Sequence, residues 1–172
     1  MLPLLVVVTG APGSGKTTVA RALAAELGRP LVAKDDIKEA LFDALGTGDR
    51  EWSRRLGRAT YDVLFLVARR LLEAGASCVV ESNFSNAEPL RALPPARVVQ
   101  ILCVAPHDIV LERYAARMRH PGHLDAEMLE ELRQRLDADE WKPLAIDGEL
   151  IEFDTSEPVD IAALAARISQ GT

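Results

Sequence analysis

The chain has 172 residues, of which 48% are hydrophobic and 27% are charged. This length suits one domain with a buried core, and the composition excludes disordered, collagen-like and disulfide-rich classes. Acidic residues outnumber basic ones by 26 to 20, which gives a formal net charge of −6. A protein with this charge has no overall field that attracts nucleic acid or an anionic membrane. A polyanion would therefore have to be bound by a local site.

The opening apolar run, residues 2–8, has no basic segment before it and no small-residue cleavage site after it, unlike a secretion signal. No stretch of the sequence approaches the ~18 consecutive apolar residues of a membrane span. Cys78 and Cys103 each lie inside an apolar run, which predicts buried strand cysteines rather than a disulfide or metal site. We therefore expect a soluble, cytoplasmic protein without a membrane partner.

Apolar runs and helical periodicities alternate along the chain. The runs predict strands over residues 4–8, 31–33, 77–81, 97–104 and 150–153. The apolar spacing elsewhere predicts helices over residues 17–27, 36–45, 52–74, 108–118, 126–141 and 159–169. Strands that alternate with helices form a parallel sheet covered on both faces. We expect residues 1–172 to form one α/β domain, without repeats or linkers.

The strongest functional signal lies between the first predicted strand and the first predicted helix. Residues 10–17 read GAPGSGKT, a full match to the phosphate-binding pattern G-x-x-x-x-G-K-[ST]. Glycines let successive backbone N–H groups face one anion, and the N-terminus of the following helix adds donors. Lys16 can reach the β- and γ-phosphates, and the Thr17 hydroxyl can bind Mg²⁺. A glycine-rich turn without a ligand is the alternative, but the strand–loop–helix context favours a site for Mg·ATP. The predicted nucleotide-binding residues are Gly10, Ala11, Pro12, Gly13, Ser14, Gly15, Lys16, Thr17 and Thr18.

Other classes of P-loop protein carry motifs that this sequence lacks. It contains no Asn-Lys-x-Asp motif for guanine and no long run ending in Asp-Glu, as in mechanical ATPases. Instead, polar groups follow the other predicted strands, where a second substrate would bind. This pattern favours a small kinase over a nucleotide-dependent switch or an ATPase that transfers to no acceptor.

Two adjacent aspartates follow the second predicted strand, in the segment KDDIK at residues 34–38. In a doubly wound sheet, the carboxyl end of this strand opens onto the crevice beside the phosphate-binding loop. A carboxylate there can accept the proton of an attacking hydroxyl, and an aspartate can also cap the next helix. We expect one of Asp35 and Asp36 to be the base and the other to be the cap. Lys38, about one helical turn beyond Asp35, could bind an anionic part of the acceptor.

The third predicted strand ends in Glu81, followed by Ser82 and Asn83. A carboxylate at this position could bind the acceptor or a water on the metal, and Ser82 and Asn83 add hydrogen-bonding groups. The alternative is an ordinary polar strand end.

The fourth predicted strand leads into an arginine-bearing helix–loop–helix over about residues 113–128. Arg113 and Arg117 are four residues apart, which predicts one face of a helix, and Arg119 follows at its end. Small kinases close a lid of this kind over the transferring phosphate and neutralise its charge. Solvated surface charges are the alternative.

Two further groups of side chains admit more than one interpretation. His120 and His123 have no third metal ligand at a suitable spacing, which favours contact with phosphate or acceptor, or packing within the lid. Arg50, Arg54 and Arg58 repeat every four residues on one face of a predicted helix. They could flank an anionic acceptor or could be solvated.

Together these motifs resemble the polynucleotide-kinase-like and zeta-toxin-like branch of small P-loop kinases, which also includes chloramphenicol phosphotransferase. The resemblance covers nearly the whole chain, from the G-x-P-G-S-G-K loop and the Asp-Asp box to the two arginines four residues apart. The segments KDDIK and RHPGH are also similar to bacterial proteins known as AAA-family ATPases or predicted kinases. The resemblance implies a five-stranded sheet of order 2-3-1-4-5 and places the adenine near residues 154–158.

By the same resemblance, Asp35 is the general base and Glu81 and Asn83 lie on the acceptor side. Arg117 stabilises the transition state with Arg113 or Arg119. Lys38 stands where the phage polynucleotide kinase has Arg. Lysine cannot form the bidentate contact of arginine, which weakens recognition of a nucleic-acid phosphate. We therefore expect an ATP- and Mg²⁺-dependent kinase whose acceptor is a small hydroxyl compound such as a nucleoside, sugar or drug. A polynucleotide 5′-hydroxyl is the disfavoured alternative.

Overall fold

Five strands form a parallel sheet at the centre of the computed structural model, which describes residues 2–170. The strands are β1 (Leu4–Gly10), β2 (Leu31–Ala33), β3 (Cys78–Glu81), β4 (Arg97–Val104) and β5 (Glu149–Asp154). Their order across the sheet is β2-β3-β1-β4-β5. This confirms the α/β fold and the strand order expected from the sequence.

Helices connect these strands and follow the last one. They are α1 (Lys16–Leu27), α2 (Lys34–Leu45), α3 (Arg50–Glu73), α4 (Glu88–Arg91), α5 (His107–Ala116), α6 (Leu129–Asp137) and α7 (Ile161–Gln170). Short 3₁₀ helices occupy Pro121–His123 and Asp125–Met128, between α5 and α6. The predicted Arg-bearing segment, about residues 113–128, therefore comprises the end of α5, the residues that follow it and these two turns.

Central strand β1 is apolar from Leu4 to Val8 because both faces of the sheet are covered there. On one face, Val6 and Val8 of β1 pack in a cluster with side chains of α1 and α7. On the other face, Leu5 and Val7 pack with Leu64 and other residues of α3. Successive side chains of a strand point to opposite faces, so a doubly covered strand needs a continuous apolar run.

The register of the strands brings their carboxyl ends to one edge of the sheet. Val8 of β1 pairs with Glu81 of β3, and Ala33 of β2 pairs with the same residue. Gly10, at the end of β1, pairs with Cys103 of β4. The segments that follow β1, β2 and β3 therefore lie side by side, where ligands bind in open α/β sheets.

One expectation about α2 is wrong. The helix begins at Lys34, directly after β2, with the extended residue Ala33 at its N-cap and no side-chain capping bond. Asp35 and Asp36 lie within the first turn, where the helix dipole favours carboxylates, and neither caps the helix. Each carboxylate instead pairs with an arginine from another segment.

The region after β4 also differs from its prediction. Helix α5 ends at Ala116, and Arg117 has an extended backbone with φ −71° and ψ 137°. Arg113 and Arg117 therefore do not share a helix face. The predicted helix over residues 126–141 is shorter, because a 3₁₀ turn occupies its start and α6 ends at Asp137.

Two simpler expectations concern the cysteines and the apolar segments. Cys78 and Cys103 are buried and free, as predicted. No helix among residues 2–170 combines the length and the apolar composition that crossing a membrane requires.

We predict that shortening Leu64 destabilises the protein because its side chain is fully buried between α3 and the sheet. Leu64→Ala should lower the free energy of unfolding by about 2–5 kcal/mol, from lost burial and the cavity left behind. Leu66→Ala is the matched control on the same helix, since Leu66 is 53% exposed. Urea denaturation of both variants checks this packing, which would be wrong if the two were equally destabilised.

Candidate functional site

The loop between β1 and α1 is shaped by two glycines with positive φ. Gly13 has φ +92° and Gly15 has φ +78°, in the left-handed region that favours glycine. Gly15 immediately precedes α1, so the unpaired N–H groups of the first turn of α1 lie at this loop. The loop packs closely against α5, because a Cβ on Gly13 would collide with the carbonyl oxygen of Val110. Backbone donors and a helix N-terminus thus meet where the sequence predicts a phosphate site.

Lys16 lies at the start of α1 and is buried, with only 7% of its surface exposed. Its Nζ donates to the carbonyl oxygen of Ala11 at 3.3 Å and lies 4.0 Å from Glu81 Oε1. Burial lowers the pKa of Lys16, although Glu81 and Asp35 act against this shift. An anion in the loop would therefore offset the cost of burying this ammonium group.

Three buried polar atoms have no hydrogen-bond partner among the described residues. They are Oγ1 of Thr9, Oγ of Ser14 and Oε2 of Glu81. Buried polar atoms are normally satisfied, so these three are available to a ligand or to its bound water. Oxygen atoms are the ligands that Mg²⁺ prefers, and Thr17, which carries a hydroxyl, lines the neighbouring cleft. This donor set fits a nucleotide phosphate with hydrated Mg²⁺.

A cleft of about 1040 Å³ extends from the loop towards α2 and the arginines after α5. The predicted site residues that line it are Gly13, Gly15, Lys16, Thr17, Thr18, Asp35, Arg113, Arg117 and Arg119. Asp36, His120 and Thr155 also contribute to its wall. The structure therefore places the predicted phosphate loop, base and arginines around one space.

Asp35 is surrounded by cationic groups. Its carboxylate is ion-paired with Arg119, and its Oδ1 lies 3.6 Å from Lys34 Nζ. Burial acts to raise the pKa of Asp35, but Lys34, Arg119, His123 and Lys16 together hold it well below its ordinary value. Asp35 is therefore ionised and able to accept hydrogen bonds at neutral pH.

Asp36 has a different environment from its neighbour. Its side chain is 50% exposed and pairs with the exposed Arg21 at 2.7 Å. Asp36 also lies at the cleft wall, but only Asp35 pairs with an arginine of the segment after α5.

Asp125 organises two of the predicted arginines. It accepts hydrogen bonds from Arg117 and from Arg119, at 2.8–2.9 Å. Burial acts to raise the pKa of Asp125, but both arginines outweigh it and lower the value to about 2. Tyr114 donates to Asp125 at 3.2 Å, and the Arg117 guanidinium lies 3.8 Å from the Tyr114 ring centroid. The two arginines are thus held in place by an ionised carboxylate and an aromatic ring.

Arg113 connects α5 to the segment after β5. Its Nη1 donates to Thr155 Oγ1 at 3.2 Å and its Nη2 donates to the Thr155 carbonyl oxygen at 2.8 Å. The Thr155 hydroxyl donates to the carbonyl oxygen of Ser14 at 2.7 Å. Arg113 therefore supports the phosphate loop through Thr155 as well as lining the cleft.

The other residues predicted on the acceptor side, Glu81, Asn83 and Lys38, do not line the cleft. Glu81 is buried, and burial raises its pKa, although Lys16 opposes the shift. Asn83 accepts from Ser82 at 3.3 Å, and neither Glu81 nor Asn83 is among the residues that line the cleft. Lys38 is buried and donates to Ser53 Oγ at 2.9 Å, in the wall of a second cavity.

His120 and His123 pack on the same aromatic ring. The His120 ring stacks on Phe42 at 5.2 Å, and the His123 ring meets Phe42 edge-on at 5.7 Å. Their Nε2 atoms contact Asp43 and Glu39, respectively. Among the residues that the structure describes, no group of three or more His, Cys, Asp or Glu side chains is placed to hold a metal ion. Both histidines dock the segment after α5 onto α2.

Sequence reasoning did not assign a role to Asp125 or Thr155. Asp125 stands alone in sequence, and only its contacts with Arg117 and Arg119 reveal its role. Thr155 lies in the segment already expected near the adenine, but its bond to Ser14 spans 141 residues. The only signal in the sequence was their position, after the arginines and after the last strand.

Residues 5–138 match the AAA_33 family, described as an AAA domain. The chain therefore belongs to this family, and its fold is that of P-loop kinases. A "putative kinase" from Chloroflexus aurantiacus has a crystal structure that matches all of both chains, with 38% identity and a TM-score of 0.90. A sugar kinase from Janibacter shares 20% identity and a TM-score of 0.64 over 99% of this chain and 94% of that one, which shows the fold alone.

A curated relative, an uncharacterized protein of Mycobacterium tuberculosis, is 29% identical over 144 residues. The match covers 76% of this chain and 29% of the relative. The chain thus corresponds to less than a third of the length of that protein.

We predict that the protein loses stability on acidification because the side chain of His123, after α5, is buried. Burial lowers the pKa of His123 to about 4, and Arg119 adds to this effect. An unfolded histidine has a pKa of about 6.5, so the unfolded state binds the extra proton between these values and stability falls as the pH falls from about 6.5 to about 4.

We expect this proton linkage to cost about 2–3 kcal/mol of unfolding free energy between pH 7 and pH 4. Denaturant unfolding across this range should give His123→Gln a flatter profile than the wild type. His107→Gln is the control, because the His107 side chain is exposed. A wild-type slope in His123→Gln would contradict the buried neutral histidine.

Proposed function

We propose that the protein is an ATP-dependent phosphotransferase that moves the γ-phosphate of Mg·ATP to a hydroxyl group of a small molecule, acting in the cytoplasm. The observation that carries this proposal is the position of Asp35, an ionised carboxylate in the wall of the cleft that begins at the phosphate loop. A pure nucleotide switch has no need of a base on this side. The membership of the AAA_33 family and the P-loop kinase fold support the same conclusion.

The phosphate loop would bind the triphosphate through its backbone N–H groups, and Lys16 would bind the β- and γ-phosphates. Binding would replace the bond from Lys16 to the Ala11 carbonyl oxygen with charge-assisted bonds. Thr17 is the direct ligand that we assign to Mg²⁺, and Glu81 would accept from a water of its hydration shell. The metal, when bound, neutralises charge on the phosphates.

Asp35 would accept the proton of the attacking hydroxyl as the new oxygen–phosphorus bond forms and the bond to the β-phosphate oxygen breaks. A carboxylate of low pKa is adequate, because phosphoryl transfer depends mainly on positioning and charge stabilisation. An acceptor hydroxyl would compete with Arg119 for the Asp35 carboxylate and could displace it. Losing this cation would raise the pKa of Asp35 and so make it a stronger base.

Arg117 and Arg119 would stabilise the charge that develops on the transferring phosphate, with Arg113 beside them. Donors held in place before the reaction cost no reorganisation in the transition state, and Asp125 supplies this support. The displaced Arg119 would stay attached to Asp125 and turn towards the phosphates. Acceptor binding and the final placement of Arg119 would thus be coupled.

We predict that Asp35→Asn lowers kcat by about 10²–10⁴-fold, since a positioned general base contributes that much. The affinity for ATP should not fall, because Asp35 carries no role in the phosphate loop and its loss removes a negative charge. The measurement is acceptor-stimulated ADP release with a panel of nucleosides, sugars, aminoglycosides, phenicols and 5′-hydroxyl oligonucleotides, together with nucleotide binding.

Asp36→Asn is the matched control, because Asp36 is the neighbouring carboxylate and pairs only with an exposed arginine. It should turn over near the wild-type rate. Equal losses in both variants, or normal turnover by Asp35→Asn, would refute Asp35 as the base.

We also predict that Arg117→Gln lowers kcat by about 10²–10³-fold, the typical effect of removing one pre-placed donor in a transition state. The KM for ATP should change much less. Arg133→Gln is the control, since Arg133 is an exposed arginine on α6. Steady-state ADP release checks both variants, and a change confined to KM would place Arg117 in ground-state binding instead.

A further inference from the structure

A second cavity of about 340 Å³ lies between α2, α3 and the turns after α5. Its wall contains five basic side chains, Lys34, Lys38, Arg50, Arg54 and Arg58, together with His123 and Tyr61. None of the residues that line it is acidic. In a chain with a net charge of −6, this is a local concentration of positive charge.

The cavity begins beside the proposed base. Lys34 lines the cavity, and its Nζ lies 3.6 Å from Asp35 Oδ1, in the wall of the cleft. His123, also in the cavity wall, is one of the groups that lower the pKa of Asp35. A molecule with its hydroxyl at Asp35 could therefore extend into the second cavity.

Several of the basic groups have no anion of their own. Arg54 and Arg58 are exposed, and their side chains make no hydrogen bond or ion pair within the part of the chain that the structure describes. Lys38 is buried against the neutral hydroxyl of Ser53, and burial lowers its pKa to about 8. Of the five, Arg50 pairs with Glu131 and Lys34 lies beside Asp35.

The cavity contains open space between Lys38 and Gly57. Gly57 lies in the middle of α3, where glycine is a poor helix former, and it faces the cavity. A Cβ at this position would lie 3.8 Å from Lys38 Nζ, an ordinary contact distance. A longer side chain at position 57 would fill the space next to the lysine.

We propose that this cavity binds a phosphate group of the acceptor, so that the substrate is a small phosphomonoester with a free hydroxyl. This deepens the proposed function and rests on it. The hydroxyl would lie at Asp35, and its oxygen would bond to the γ-phosphorus as ADP leaves and its proton passes to Asp35. The product carries two phosphate groups. Arginine forks and a buried lysine are suited to a phosphate that is already present on the acceptor.

The first test measures binding without turnover. With the phosphate loop saturated by the β,γ-imido analogue of ATP and Mg²⁺, calorimetry should detect inorganic phosphate binding to the wild type. The double variant Arg54→Gln/Arg58→Gln should bind it at least tenfold more weakly. Arg55→Gln is the matched control, because Arg55 is exposed on the same helix and stacks on Trp52 outside the cavity.

Gly57→Leu provides a second variant that keeps every charge. It should weaken phosphate binding by obstruction and should not lower the thermal midpoint, since leucine favours the helix. Absence of phosphate binding by the wild type, or equal binding by the double variant, would overturn the proposal even if the protein proves to be a kinase.

The second test measures specificity in turnover. Matched acceptors, each a neutral hydroxyl compound and its phosphomonoester, are compared by kcat/KM for ADP release, with a 5′-hydroxyl oligonucleotide as a third arm. We expect at least a tenfold preference for the phosphomonoesters, lost in Arg54→Gln/Arg58→Gln and kept in Arg55→Gln. Equal use of neutral acceptors, or preference for the oligonucleotide over a nucleoside 3′-monophosphate, would overturn it.

Discussion

The burial of the Lys16 ammonium at the carboxyl end of the sheet is the constraint on which the arrangement of the site depends. A buried charge is costly unless it is paired, and within the protein Lys16 has one carbonyl oxygen and a carboxylate 4.0 Å away. The two nearby carboxylates respond in opposite ways, since burial raises the pKa of Glu81 whereas surrounding cations lower that of Asp35. Environments that separate the pKa values of two acids are typical of sites with a division of roles.

The ion pair between Asp35 and Arg119 connects this charge balance to the segment after α5. Arg119 also pairs with Asp125, and Asp125 holds Arg117. The proposed base, the proposed transition-state arginines and their common anchor therefore form one network. In such a network the proposed acceptor would compete with Arg119 for the Asp35 carboxylate, so that acceptor binding and arginine placement would be linked by mass action.

The parts of the fold that depend on local pattern could be predicted from the sequence. Strand β1 could be predicted because it is buried on both faces and reads as a continuous apolar run, and β4 because most of its residues are apolar and buried. The GAPGSGKT motif could be recognised because its spacing is fixed. The strand order came from the resemblance to small kinases. Helix α4 escaped prediction because four residues are too short to show a period.

The wrong predictions have a common physical cause. Ion pairs between segments that are distant in sequence determine local conformations that helix propensity alone does not specify. Nothing near Arg117 in sequence indicated that Asp125 would hold it outside the helix. Likewise, the four-residue spacing of Arg50, Arg54 and Arg58 predicts one helix face. It does not indicate that this face and Lys38 line the same cavity. These placements depend on segments that are distant in sequence.

The most direct test of the account follows the γ-phosphate itself. The protein is incubated with Mg²⁺, ATP labelled in the γ-position and the acceptor panel, and the products are separated. The account predicts label in an acceptor-derived phosphate ester, formed only when protein and acceptor are both present. Label found only in inorganic phosphate, at a rate that no acceptor changes, would contradict it and identify a nucleotide-hydrolysing switch.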